Sequence, residues 1–253
     1  MENGSDLPTW RINQIFELWV AVRQPDDGKK AIMRTSPNIL VAVLICAAAA
    51  GMAFLAQTGN SQESAEVIES SQADAVFAGG CFWCTEADFD KLDGVHETIS
   101  GYIGGDVNNP SYEQVVSGTT GHYEAVRVIY DASVISYDEL VEYFWRTIDP
   151  FNDNGQFCDR GSSYRAAIFV ETAEERDIAE ATKAALSEEE GFGQPIVTEI
   201  LDQDTFWPAE EKHQNFYEKR SQRYKFYRAG CGRDARLKEI WGEDAAKEVA
   251  ESF

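Results

Sequence analysis

The stretch Phe77-Ala78-Gly79-Gly80-Cys81-Phe82-Trp83-Cys84-Thr85-Glu86 constrains what this 253-residue chain can fold into more than any other. The apolar run Ala75 to Phe77 reads as a strand, two glycines break it, and Ala87 to Leu92 reads as helix. A strand that turns through two glycines into a helix puts Cys81 in the first turn. There, unpaired backbone N–H groups and the positive end of the helix dipole favour an anion. The expectation is a Cys81 sulfur that is partly thiolate near neutral pH, with the Phe82 and Trp83 rings as an apolar wall beside it. A cysteine that merely fills a core has no need of the double glycine, although packing stands as the competing reading for Cys84.

The chain is long enough for one substantial domain with appendages. Acidic side chains number 44 against 22 basic ones, and the net charge of -22 argues against nucleic acid as a partner, because that needs a positive footprint. Five cysteines without regular spacing do not make the disulfide framework of a small secreted domain.

The 18 residues from Ile39 to Ala56 carry no charge, follow Lys29, Lys30 and Arg34, and precede a polar stretch. This pattern reads as an export signal or a single membrane anchor, with the flank 1–38 on the cytoplasmic side and the rest of the chain outside it, periplasmic or membrane-anchored. Met33 is a second candidate start, from which the run would be an ordinary cleavable signal. Cys46, inside the run, reads as membrane-buried and inert.

Residues 57–74 read as a flexible linker, 75–242 as the folded domain and 243–253 as a tail. Strands are expected over Gly94–Tyr102, His122–Tyr130, Tyr164–Val170 and Ile196–Leu201. Helices are expected over Tyr112–Val116, Tyr137–Ile148 and Thr172–Glu189, the last capped by Thr172, and Phe206 to Glu211 is expected to open another. This irregular alternation implies an α+β fold, a mixed sheet with helices packed on it.

Five separated motifs occur in order: Gly80-Cys81-Phe82-Trp83, Gly101-Tyr102-Ile103-Gly104-Gly105, Gly121-His122-Tyr123-Glu124, Asp159-Arg160-Gly161-Ser162-Ser163-Tyr164-Arg165 and Phe206-Trp207-Pro208-Ala209-Glu210. Together they resemble the A-type peptide methionine sulfoxide reductases, over Ala75 to Gly242. The resemblance implies a ferredoxin-like α/β core and reduction of the S epimer of methionine sulfoxide, free or in proteins. It implies Cys81 as nucleophile, Phe82 and Trp83 as the methyl-binding pocket and Glu124 as acid. Tyr112 and Tyr164 would bind the oxygen, and Asp159 would be a polar partner. It also implies a monomer that needs no metal or organic cofactor and is recycled by a thioredoxin-like dithiol protein.

The residue chemistry agrees with each of these roles. A sulfoxide sulfur is a poor electrophile until its oxygen is protonated, and a buried carboxyl beside the thiol supplies that proton. Glu124 lies in a strand that is apolar on its side, although a solvated glutamate is the alternative reading. Taken alone, Tyr112 and Tyr164 read as amphipathic core residues, Asp159 as a turn residue and His122 as a structural neighbour. Attack by Cys81 leaves a sulfenic acid that a second cysteine condenses to a disulfide. The candidates, ranked by reach, are Cys231, whose glycine-flanked tail segment can swing in and corresponds most nearly to the family's mobile C-terminal thiol, then Cys158 beside Asp159, then Cys84, whose side chain packing would commit.

Two other functions fit parts of the pattern. One is a thioredoxin-like exchanger using Cys81 and Cys84, against which the tryptophan lies between the cysteines instead of before them. The other is a metal-binding module through Cys81, Cys84 and a histidine, against which the three histidines show no ligand-like spacing.

Overall fold

The computed structural model describes residues 71–188, 193–243, 245 and 247. The expected flank 1–38, the apolar run 39–56, most of the linker and most of the tail lie outside the described residues. No helix among the described residues is long and apolar enough to cross a membrane.

In chain order the elements are β1 (Gln72–Gly79), α1 (Phe82–Phe89), β2 (Val95–Ile103), α2 (Tyr112–Val116), β3 (Tyr123–Asp131) and α3 (Tyr137–Arg146). A two-residue hairpin follows, β4 (Gly155–Gln156) and β5 (Asp159–Arg160), then a 3-10 turn at Ser162–Tyr164, β6 (Ala166–Val170) and α4 (Ala173–Ser187). The chain continues through β7 (Glu199–Asp202), β8 (Trp207–Pro208), α5 (Phe216–Lys219), α6 (Ser221–Cys231) and α7 (Arg233–Trp241).

The sheet order is β7-β6-β1-β3-β2-β8. Its four inner strands pair antiparallel throughout, with α1 joining β1 to β2 and α3 between β3 and β6. That is the split βαβ topology of a ferredoxin-like core. β7 extends one edge parallel to β6, and β8 covers the other on β2. β1 is buried on both faces: Ala75 and Phe77 pack towards the helices, Val76 and Ala78 towards Ile103, Tyr123 and Phe169. A strand in that position reads as a continuous apolar run, with no alternation to reveal it. Phe77 is its anchor, stacked on Phe89 at 4.9 Å and on Phe144 at 5.0 Å.

Several boundaries differ from the sequence expectations. β1 begins at Gln72, inside the expected linker, because its pairing with β3 continues out to Asp131. Tyr164 does not start a strand; it ends the 3-10 turn that follows Gly161 at φ 118°. The fourth expected strand, Ile196–Leu201, is displaced to Glu199–Asp202. Phe206 to Glu211 opens no helix, because Trp207 and Pro208 pair with Tyr102 and Gly101. Gly101 is what admits that edge: a Cβ there would meet the Trp207 carbonyl at 2.6 Å. The basic, aromatic tail is three helices, with Cys231 as the last residue of α6.

Those helices are fastened to the catalytic layer by buried cations. Arg233, 2% exposed, donates to the Gly79 carbonyl at 3.1 Å and the Thr147 carbonyl at 2.8 Å. Arg228 donates to Asp88 at 2.8 Å and is bridged to Asp234. Replacing the Arg233 guanidinium strands two buried carbonyls and removes one of the three cations around Asp88. Arg233→Met should therefore lower unfolding free energy in urea by about 3 kcal/mol. A loss under about 1 kcal/mol would show that α7 is not part of the cooperative unit.

Candidate active site

The turn into α1 is built as its glycines suggest. Gly80 has φ +85°, and a Cβ on Gly79 would meet the Thr85 hydroxyl at 2.6 Å. Cys81 is the N-cap of α1 and is buried, with no side-chain cap bond of its own. On β3 the two-residue repeat puts Glu124 on the face that carries Val126 and Val128, towards α1. Its carboxylate accepts the Phe82 N–H at 3.1 Å, and the Tyr164 hydroxyl is hydrogen-bonded both to it and to Tyr112. Burial, with Asp159 close by, pushes Glu124 up to about 8, outweighing the Phe82 and Tyr164 hydrogen bonds. At neutral pH it is a carboxylic acid.

Each of the other site residues is held by a specific contact. Glu210, from the chain just after β8, accepts the Tyr102 hydroxyl at 2.9 Å and the Tyr112 N–H at 3.0 Å, fixing the start of α2. Asp159 accepts the Tyr227 hydroxyl, and burial raises its carboxyl. Tyr227 also hydrogen-bonds Cys81, which ties α6 to the nucleophile. Phe82 is buried against Tyr102, Tyr112 and His213 at 6.0, 6.4 and 5.2 Å, and Trp83 stacks on Phe216 at 3.8 Å. The Trp83 indole N–H donates to His213 Nδ1 at 3.2 Å.

The cysteines differ from expectation in two respects. Burial, then the hydrogen bond and charge of Cys84, and then Glu124 push the Cys81 thiol well up, with only Tyr227 acting the other way. The hydrogen bond from Cys81 holds Cys84 below the ordinary thiol range despite burial, helped by Arg233 and Arg228. Burial thus works against the expected resting thiolate at Cys81, and of the two thiols it is Cys84 that is held lower. A helix terminus is worth about 0.3–1 kcal/mol, which burial of a charge exceeds. The second difference concerns Cys231 and Cys158, which are joined to each other by a disulfide, while Cys81 and Cys84 are free.

His122 is structural: its Nδ1 accepts the Gly105 N–H at 3.1 Å and Nε2 lies 2.7 Å from the Val107 carbonyl. Among the described residues, Cys158, Asp159 and Cys231 are near enough to one another to hold an ion, but their two sulfurs are already bonded.

The thiol, the protonated acid beside it and the aromatic wall sit within one continuous family signature. The family model described as peptide methionine sulfoxide reductase matches residues 73–245. The chain belongs to this family. MsrA of Bacillus subtilis is 49% identical over 168 residues, 66% of this chain and 95% of that protein. The MsrA/MsrB protein of Vibrio cholerae is 42% identical over 203 residues, 80% of this chain, which spans only 54% of that relative's length. The solved structure of methionine sulfoxide reductase A of Corynebacterium diphtheriae superposes with a TM-score of 0.54 at 31% identity, covering 60% of this chain and 76% of that one.

As a peptide methionine sulfoxide reductase family member, the chain contributes site residues that sequence reasoning passed over: Tyr102, Glu210, His213, Phe216 and Tyr227. Tyr102 and Glu210 lay inside the motifs, and their signal was a polar group within an otherwise apolar or aromatic run. His213, Phe216 and Tyr227 carry no local signal, since only the folding back of α5 and α6 brings them to Trp83.

Glu124 also links stability to pH. Its folded form keeps a proton up to about pH 8, whereas an unfolded glutamate loses it near its ordinary 4.5. Between these values the folded state binds more protons, so wild-type stability falls as pH rises. Neutral Glu124→Gln escapes this, and its advantage in urea melts should grow from pH 5 to pH 8 by at most ~1.4 kcal/mol per unit, then level off. A pH-independent difference would mean that the carboxyl is ionised in the fold.

Proposed function

We propose that this chain reduces the S epimer of methionine sulfoxide, free or in oxidised proteins, to methionine. The observation that carries this reading is the buried acid: Glu124 is held protonated beside the Cys81 sulfur, on the same aromatic-lined site. The substrate methyl group packs against Phe82 and Trp83. The sulfoxide oxygen takes hydrogen bonds from Tyr112 and Tyr164 and a proton from Glu124, and Asp159 holds Tyr227 against Cys81. Cys81 attacks the sulfur, leaving its own proton with Cys84. The substrate S–O bond then breaks as its protonated oxygen passes to the Cys81 sulfur, methionine departs, and Cys81 is left as a sulfenic acid.

Cys84 then condenses with that sulfenic acid, forming a disulfide and water. Its hydrogen bond with Cys81, and the disulfide that engages Cys231 with Cys158, support Cys84 over the expected Cys231. A thioredoxin-like dithiol protein completes the cycle. Thiol–disulfide exchange through Cys81 and Cys84 alone is the weaker reading, because it gives the protonated Glu124 and the paired tyrosines nothing to do. The charge-free run Ile39–Ala56 supports export, with the enzyme acting outside the cytoplasm as a monomer, anchored if the run is retained.

Turnover of the separated epimers of a blocked methionine sulfoxide with dithiothreitol tests the activity. Reduction of the R epimer, or of neither, would refute it. Cys81→Ser should abolish reduction with every reductant. Glu124→Gln should lose about 100-fold or more, as expected for removal of a general acid. A variant within a factor of two of wild type would make Glu124 structural. An alkaline phosphatase fusion after Asp74 should be active outside the cytoplasm, and one active only inside would exclude export.

A further inference from the structure

One face of α1 carries Trp83, Glu86 and, at its C-cap, Asp90, at helical spacing. The two carboxyls have no part in the chemistry proposed above. Glu86 is 0% exposed. Its Oε1 accepts the Asn215 N–H at 2.9 Å, and the Phe216 N–H is also bonded to this carboxyl. Asp90 accepts the Tyr217 hydroxyl at 2.8 Å and the Thr98 hydroxyl at 2.7 Å. Three consecutive residues, Asn215 to Tyr217, are therefore bound by two acids of α1.

What these bonds hold in place is the Phe216 ring, which lies on Trp83 at 3.8 Å and 8° from parallel. The His213 bond fixes the edge of the indole, and Phe216 fixes its plane. That contact is conditional on the backbone before it. Asn215 is left-handed, at φ 51° and ψ 39°, and a residue with a side chain stays there when its surroundings fix it. α5 is four residues long, too short to hold its place as an isolated helix.

Gln214 accepts the Ser100 N–H at 2.9 Å and donates to the Ser100 carbonyl at 2.8 Å. The chain is thus tied to β2 just before the left-handed turn and to α1 from the turn onwards. Burial, opposed by the Asn215 bond and aided by the Asp90 charge, pushes Glu86 up to about 7. An acid whose charge is so weakly favoured serves as an oxygen acceptor, and an amide can take its place.

We propose that Glu86 and Asp90 are positioning residues: by fastening α5 to α1 they keep Phe216 on Trp83, and so set how large an S-alkyl group the pocket admits. This rests on the reductase reading above, in which Phe82 and Trp83 receive the substrate methyl. An indole stacked at 3.8 Å and bonded at its edge cannot retreat, so a second carbon on the sulfur meets a fixed wall. With the anchors cut, Phe216 shifts and the indole yields.

The test assays the full chain with dithiothreitol on the S epimers of blocked methionine sulfoxide and of its S-ethyl homologue, comparing kcat/KM. Wild type should favour methyl by about 10-fold or more, the scale of one methylene in an apolar pocket. Glu86→Leu, shown to be folded by its urea melt, should bring that preference down to about threefold or less, and Glu86→Gln should restore it. Glu86→Leu/Phe216→Leu should be no less selective than Phe216→Leu alone, because the acid acts through that ring. Tyr217→Phe loses one half-buried hydroxyl and carries the test should Glu86→Leu not fold; it should lower the preference by about twofold or more. A folded Glu86→Leu or Tyr217→Phe with the wild-type preference, a Glu86→Gln that matches Glu86→Leu, or additive losses in the double variant would overturn the positioning role. A wild type without preference would also overturn it, with the reductase reading intact. A wild type that does not reduce the S-methyl substrate would overturn that reading and this proposal with it.

Discussion

A carboxyl group kept out of water on the helix-facing side of β3 is the constraint on which the rest of this structure depends. Taken alone, a buried glutamate is a liability, because its charged form loses solvation that no neighbouring cation restores. The fold resolves this by leaving Glu124 protonated and giving it the Phe82 N–H and the Tyr164 hydroxyl. Both partners depend on tertiary placement. Phe82 is in position because two glycines let β1 turn directly into α1, and Tyr164 because the 155–160 hairpin is held by Gln156, which brackets the backbone of Asp149. The acid and the nucleophile are thus set by the same turn.

The C-terminal helices complete this arrangement. α5 and α6 supply Phe216 and Tyr227, which close the aromatic site from above Trp83. Their attachment is ionic at depth. Burial alone would raise the Asp88 carboxyl, but Arg228, Lys91 and Arg233 around it hold it below the ordinary carboxylate range. The same two arginines favour the charged form of Cys84. In a chain of net charge -22, the few cations that are buried are concentrated where the thiols need them. Structure and reactivity therefore share one network, and a change in either arginine acts on both.

The two cysteine pairs lie in opposite surroundings, Cys81 and Cys84 buried, Cys158 exposed and Cys231 half-buried. A site that excludes water protects a protonated acid and a sulfenic acid, but it also excludes a protein reductant. Cys158 and Cys231 lie at the edge of that enclosed region, with Asp159 between them and the Tyr227 hydroxyl.

The sequence by itself determined the features that are local. The Gly79-Gly80-Cys81 junction, the Thr172 cap with its partner Glu175, the α3 apolar face and the alternation that turns Glu124 inwards all rest on steric and periodic rules acting within a few residues. With the ordered motifs, these were enough for the fold class and for bringing Cys81 and Glu124 to one site. Tertiary structure alone decided the rest. Trp207 became an edge strand because Gly101 admits it, which no propensity of its own segment shows. Cys81 is pushed up by burial, while Cys84 is held down by the Cys81 hydrogen bond and then by two arginines from the C-terminal helices. Cys231 met Cys158, 73 residues away, because α6 folds back over the Asp159 hairpin. Desolvation and long-range pairing depend on what surrounds a group in space, and the linear order of residues does not encode that directly.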